Sequence, residues 1–120
     1  DVGVLAARGD AQVAVLVWHY HDDDIPGPDA AVELELRGLP RGHAVAHFRI
    51  DRDHSNAYAA WQRLGSPIAP DKATWDSLRA AGQLTALRGS SDVAVTRSVS
   101  RLNFSLPRQA VSLLVFSTPR

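Results

Sequence analysis

The sequence predicts a mainly β protein, an antiparallel β-sandwich with two short helices inserted around residues 55–82. Three observations predict it. Short runs alternate apolar and polar residues, turn signals recur every ten residues or so, and one central stretch changes its hydrophobic period from two to helical spacing. The 120 residues are one domain's worth of chain, so a single domain over residues 1–120 is expected.

The elements follow in order. Val2 to Arg8 is a short apolar segment closed by Gly9 and Asp10, which suit a hairpin reversal. Gln12 to His21 places Val13, Val15, Val17, His19 and His21 on one face and Ala14, Leu16, Trp18 and Tyr20 on the other. Apolar on both faces for most of its length, it reads as a central strand. Asp22 to Asp29, with Pro26, Gly27 and Pro28, is a loop. Val32, Leu34 and Leu36 alternate with Glu33 and Glu35, the pattern of a half-buried strand. Gly38, Pro40 and Gly42 turn the chain into a strand over His43 to Asp51. There Ala44, Ala46, Phe48 and Ile50 are expected to face inward and His43, Val45, His47 and Arg49 outward, making a second antiparallel pair with the strand before it. In the middle, Tyr58, Trp61 and Leu64 fall at helical steps, and Trp75, Leu78 and Ala81 mark a helix capped by Asp71 and ended by Gly82. Strand character returns weakly over Leu84 to Leu87, then over Val93 to Thr96, through Leu102, Phe104 and Leu106, and over Val111 to Phe116.

Composition narrows the function. Thirteen basic residues balance thirteen acidic ones, and the five histidines are scattered. No basic stripe is long enough to follow a phosphate backbone, so neither nucleic acid nor an anionic membrane is an expected partner. Without cysteine there is no disulfide framework, thiolate metal site or cysteine nucleophile, and the compartment stays open. The longest apolar run, Val13 to Trp18, falls far short of the roughly 20 residues of a membrane helix. The N-terminus also lacks a signal-peptide layout. The expectation is a soluble chain, cytoplasmic or periplasmic. Asp1 in place of an initiator methionine, with no methionine elsewhere, suggests a piece of a longer polypeptide.

Three groups of residues invite chemistry. Glu33 and Glu35, the only glutamates, stand about 7 Å apart along a strand and evoke a glycosidase carboxylate pair. Their alternation with Val32, Leu34 and Leu36 favours a solvated strand face. His19, His21 and Asp22, with Asp23 and Asp24 following, have residue types that hold divalent metals. No distant third ligand is identifiable and the loop lacks a calcium-binding pattern, so neither a metal nor a cofactor is expected. Asp51, Asp53, His54 and Ser55 are the residue types of a hydrolytic triad, but neighbours in sequence cannot face one another across a fold. Capping of a helix by Ser55 or Asn56 accounts for most of this block. It leaves Tyr58, Trp61 and Trp75 unexplained, a density of amphipathic aromatics suited to an interface.

With these residues in view, the chain resembles a known family. Val17 to Asp24, then Asp51, His54, Ser55, Asn56, Tyr58, Trp61, Gly65, Ser66 and Pro67, look like the C-terminal β-sandwich portion of glycoside hydrolase family 39. The likeness continues through Trp75, Leu78, Ala80, Ala81 and Gly82 and through Leu106, Pro107, Arg108, Gln109, Val111, Ser112 and Leu113, covering nearly the whole chain. The family includes bacterial β-xylosidases, its closer branch here, and α-L-iduronidases are its relatives. The resemblance implies that chemistry resides in a (β/α)₈ barrel with two catalytic glutamates and a retaining mechanism. Such a barrel needs on the order of 250 residues, so Glu33 and Glu35 do not inherit those roles. The chain is then expected to be non-catalytic, its partner the barrel of the parent chain. Asp51, His54, Ser55, Asn56, Tyr58 and Trp61 form a candidate interdomain or sugar-proximal surface. Family sandwiches can be completed by strands from elsewhere, so a fragment is expected to self-associate through exposed sheet edges. The alternative is an independent carbohydrate-binding module for xylose-type sugars, stacking them on Trp18, Tyr20, Tyr58 or Trp61. Trp18 and Tyr20 lie on a face that reads as core, which favours the accessory domain; an independent small hydrolase comes third.

Overall fold

The computed structural model describes residues 1–39, 43–87, 94–96 and 99–117. Among the described residues, eight strands and two helices follow in the order β1 (Val2–Arg8), β2 (Gln12–His19), β3 (Ala30–Arg37), β4 (Ala44–Ile50), α1 (Ala57–Arg63), α2 (Lys72–Ala81), β5 (Thr85–Ala86), β6 (Ala94–Thr96), β7 (Val99–Leu106) and β8 (Ala110–Ser117). One sheet has five strands in the order β1-β2-β8-β4-β5 and the other three in the order β3-β7-β6, all antiparallel.

The first hairpin forms as its sequence requires. Gly9 N–H donates to Gln12 O over 2.8 Å, and β1 and β2 pair from Val2↔His19 to Arg8↔Val13. Gly3 lies opposite Trp18, whose indole would collide with any Cβ placed there. β2 is central, between β1 and β8, as its two apolar faces require. It ends at His19, so Tyr20 and His21 lie beyond it, and Tyr20 is exposed rather than part of the core.

Two expectations about β3 and β4 are corrected. They do not pair with each other: β3 joins β7 in one sheet and β4 joins β8 and β5 in the other. The chain between them changes sheets; Pro40 and Gly42 of that turn lie outside the described residues, as does Val93 before β6. The facing of β4 is also the reverse of the expected one. His47 and Arg49 are buried inside the sandwich, while Ala46, Phe48 and Ile50 lie on the outer side. The rule that apolar residues face the core fails here because the buried polar side chains find hydrogen-bond partners there, Ser112 on the adjoining strand β8 and the Ser105 carbonyl of the facing sheet.

The core is otherwise ordinary. Val15 and Val17 of β2, Leu102 and Leu106 of β7, and Ala110, Leu114 and Phe116 of β8 form one cluster. Val32, Leu34 and Leu36 of β3 and Phe104 of β7 close it from the smaller sheet.

Candidate functional site

The polar block after β4 folds into a tightly bonded corner. Asp51 is buried, and its Oδ1 accepts from the backbone N–H of Asp53 at 2.8 Å and from Nδ1–H of His54 at 2.8 Å. Burial pushes the Asp51 carboxyl up, but the hydrogen bonds from His54 and Asp53 outweigh it and hold its pKa below the usual value. Ser55 adopts φ 55°, the left-handed region, and from there its hydroxyl donates to Arg49 O at 2.8 Å and accepts from Thr85 N–H at 2.7 Å. That one side chain ties β5 to the end of β4. Asn56 caps α1, its Oδ1 accepting from Ala59 N–H at 2.9 Å while its Nδ2 donates to Asp51 O at 3.1 Å. Asp71 caps α2 in the same way, and the Thr74 N–H lowers its pKa.

Asp51, His54, Ser55 and Asn56 thus stand together, but their polar atoms hold the turn. Asn56→Ala is expected to cost about 1 kcal/mol of stability by urea unfolding, the usual loss of a cap. What faces outward is hydrophobic: Tyr58 is 64% exposed, and Leu64, Ile68 and Trp75 are exposed with it. Trp61 is half-buried, its indole N–H donating to Pro67 O at 2.9 Å, and its ring lies 5.7 Å from that of Tyr58 at an interplanar angle of 30°.

Behind this corner runs a buried polar ladder that sequence reasoning missed. Arg49 Nε–H donates to Ser112 Oγ at 2.8 Å, Nη2 donates to Ser105 O at 3.0 Å, and Nη1 lies 3.5 Å from Asp51 Oδ2. The Ser112 hydroxyl in turn donates to Nε2 of His47 at 2.7 Å. Burial, and secondarily the charge on Arg49, depress the His47 pKa to about 4. The available signal was Ser112, a lone polar residue in the apolar run from Val111 to Phe116.

Of the metal candidates, His19 and His21 stand together, bonded to each other. His19 Nδ1–H donates to Leu106 O at 3.0 Å, which leaves Nε2 to accept from His21 Nε2–H at 2.8 Å. A metal on either Nε2 would have to break that bond, and among the described residues no group of three His, Asp or Glu converges. Partial desolvation and nearby Arg108 lower the pKa of His21. The loop beyond is clamped by Gln109, whose Nε2 donates to His21 O at 2.7 Å and Asp23 O at 2.8 Å, and by Arg108, which pairs with Asp23 at 2.7 Å.

Glu33 and Glu35 lie on the outer side of the smaller sheet, exposed as their alternation predicts. Glu35 is held between Arg37 and Arg101, and the hydrogen bond from Arg37 is the main reason its pKa falls. A carboxyl kept ionised on an open sheet face lacks the raised pKa and cleft that a glycosidase acid needs.

The outer side of the larger sheet is different in kind. Its rows run Leu5, Leu16, Leu113, Phe48; then Gly3, Trp18, Val111, Ile50; then Ala7, Ala14, Val115, Ala46. Every one of these residues is apolar.

No family model matches the chain. In sequence it is similar to α-L-iduronidase of Mus musculus, 31% identical over 88 residues, and of Homo sapiens, 32% identical over 90 residues, matches that take in 65% and 67% of this chain. The chain spans 14% of the length of each of these relatives. In fold it is similar to a family 39 glycoside hydrolase from Xanthomonas axonopodis pv. citri, with a TM-score of 0.75, 19% identity and coverage of 97% of this chain and 26% of the other. The bacterial orthologue of human α-L-iduronidase matches with a TM-score of 0.78, 22% identity and coverage of 98% and 22%. A monomeric β-xylosidase from Caulobacter crescentus CB15 matches with a TM-score of 0.66, 21% identity and coverage of 98% and 26%. The resemblance is thus met again, in sequence with α-L-iduronidases and in fold with family 39 enzymes that include a β-xylosidase.

Proposed function

We propose that this chain, a sequence relative of one segment of α-L-iduronidase with a sandwich fold found in family 39 glycoside hydrolases, is the non-catalytic accessory domain of a larger glycosidase. The observation that carries the reading is one of proportion. The chain matches nearly end to end in fold, yet accounts for only 22–26% of the enzymes it matches. Its only two glutamates are exposed, and Glu35 is bound to Arg37 and Arg101, which agrees with chemistry residing elsewhere. On this reading the parent is a relative of β-xylosidases and α-L-iduronidases, with β-xylosides and α-L-iduronides as the substrates to assay. Residues Asp51 to Trp61 build the corner from which Tyr58 and the rest of the helical hairpin project as an exposed surface.

The reading is tested by deleting residues 1–120 from the parent polypeptide. Lost or thermally weakened hydrolysis, with the separated chain inactive, is the expected outcome; hydrolysis by the separated chain would overturn it.

The chain is also expected to associate with itself when detached. β1 has a neighbour on one side only, and Val2, Val4 and Leu5 are exposed along it. Sedimentation over a dilution series should show reversible dimers, returned to monomers by Val4→Lys; monomers at every concentration would contradict this. The carbohydrate-binding alternative has weaker support. Tyr58 and Trp61 are tilted rather than coplanar, and the Trp61 indole N–H is already bonded.

A further inference from the structure

We infer that the outer face of the five-stranded sheet, rather than the Asp51 to Trp61 corner, is the main surface on which the parent's catalytic domain packs. The inference rests on the accessory-domain reading and identifies its contact.

The sandwich supplies its own control. Both sheets have an outer side, and an antiparallel sheet that faces water normally shows polar residues there. The smaller sheet does so: Glu33, Glu35 and Arg37 of β3 stand beside Arg101, Asn103 and Ser105 of β7, all exposed. On the larger sheet three successive rows hold Leu5, Leu16, Trp18, Phe48, Leu113 and their apolar neighbours across four paired strands, with polar Gln12 and Ser117 coming in at the end row. Meanwhile its inner side holds Arg49, His47, Ser112 and His19. Polarity is therefore greater inside this sheet than outside it, the opposite of what water on the outer face would favour.

Nothing among the described elements relieves this. The two helices pack chiefly against each other, and Leu5 and Ile50 are exposed at either side of the face. Three rows of side chains along the strands and four strands across make a face of roughly 400 Å² from standard strand spacings. That is one side's share of an ordinary interdomain contact. The hairpin is a poorer candidate, because its exposed aromatics are interspersed with the ion pairs Arg63–Asp53 and Lys72–Asp76.

The occupant follows from what the chain lacks relative to its matches, which are about four to five times longer. A (β/α)₈ barrel is surrounded by helices, and an apolar helix stripe is a natural cover for a flat apolar sheet. Rows of Leu, Trp and Phe without a charge fit such a stripe and offer nothing to an acidic or basic partner.

The test places charge on the face. Phe48→Lys with Leu113→Glu, opposite charges on directly paired positions, is made in the parent polypeptide and in the isolated chain, beside a control pair on the hairpin, Tyr58→Lys with Trp75→Lys. In the isolated chain the sheet pair should leave the melting temperature within about 2 °C, because these side chains support no internal contact across the sandwich. In the parent it should lower the melting temperature by on the order of 5 °C and speed proteolytic release of the domain about tenfold, with the hairpin pair milder. A parent that hydrolyses glycosides but is unmoved by the sheet pair, or is loosened only by the hairpin pair, overturns the inference. A parent that hydrolyses no glycoside overturns the accessory reading itself, and a sheet pair that unfolds the isolated chain shows that the face already has a cover within it.

Discussion

Replacing Arg49 with alanine is expected to cost this chain about 3–5 kcal/mol of stability, the largest effect of any polar substitution in it. The side chain is only 7% exposed and reaches three partners on three strands: Ser112 of β8, Ser105 of β7 and Asp51 at the end of β4. Alanine would leave the Ser105 carbonyl short of a donor and the buried Asp51 carboxylate short of a cation, and would open a cavity between the two sheets. Arg49→Met is expected to cost less, because the aliphatic stem is replaced while only the bonds are lost. Equilibrium urea unfolding of both variants measures this. A loss below about 1 kcal/mol for alanine would mean that the ladder contributes nothing net, as some buried ion pairs do.

The second large effect is a dependence on pH. His47 titrates near 6.5 when unfolded and at about 4 in the folded chain, because burial and the charge on Arg49 disfavour its cation. Above pH 6.5 both states hold it neutral and its effect is nil. As the pH falls from 6.5 toward 4 the unfolded chain takes up a proton that the folded chain refuses, so stability declines, and below about 4 the loss saturates. The total is on the order of 3 kcal/mol, the free-energy equivalent of lowering that pKa from 6.5 to about 4. The lowered pKa of Asp51 adds a further loss in stronger acid. Urea midpoints between pH 7.5 and 4 should fall accordingly, and His47→Gln should flatten the curve over that range. An equal slope in the variant would place the titration elsewhere.

Most of the fold was legible because most strands obey simple rules. Glu33 and Glu35 between Val32, Leu34 and Leu36 gave β3 its facing, and Gly9 with Asp10 gave the first hairpin. Asn56, Asp71 and Gly82 bounded the helices where capping chemistry places them. β4 was misread for a physical reason. Phe48 and Ala46 are the apolar half of an alternating strand, and in a free-standing sandwich that half belongs inside. They lie outside because the interior accepts Arg49 and His47 through Ser112, and because their neighbours on the outer face, Leu113 and Val115, are apolar as well. Strand order was illegible for another reason: β3 and β4 are adjacent in sequence, yet they belong to different sheets, and nothing local records that crossing. The polar corner was identified by its residue types, but its atoms turned out to hold the turn.

The most direct measurement of the central claim is hydrolysis of an aryl β-xyloside and an aryl α-L-iduronide by the purified chain and, in parallel, by the full parent polypeptide. A silent chain beside an active parent is the predicted result. Turnover by the chain that grows with its concentration and persists through purification, or a parent inert toward both substrates, would contradict the assignment of this sandwich as a glycosidase's non-catalytic domain.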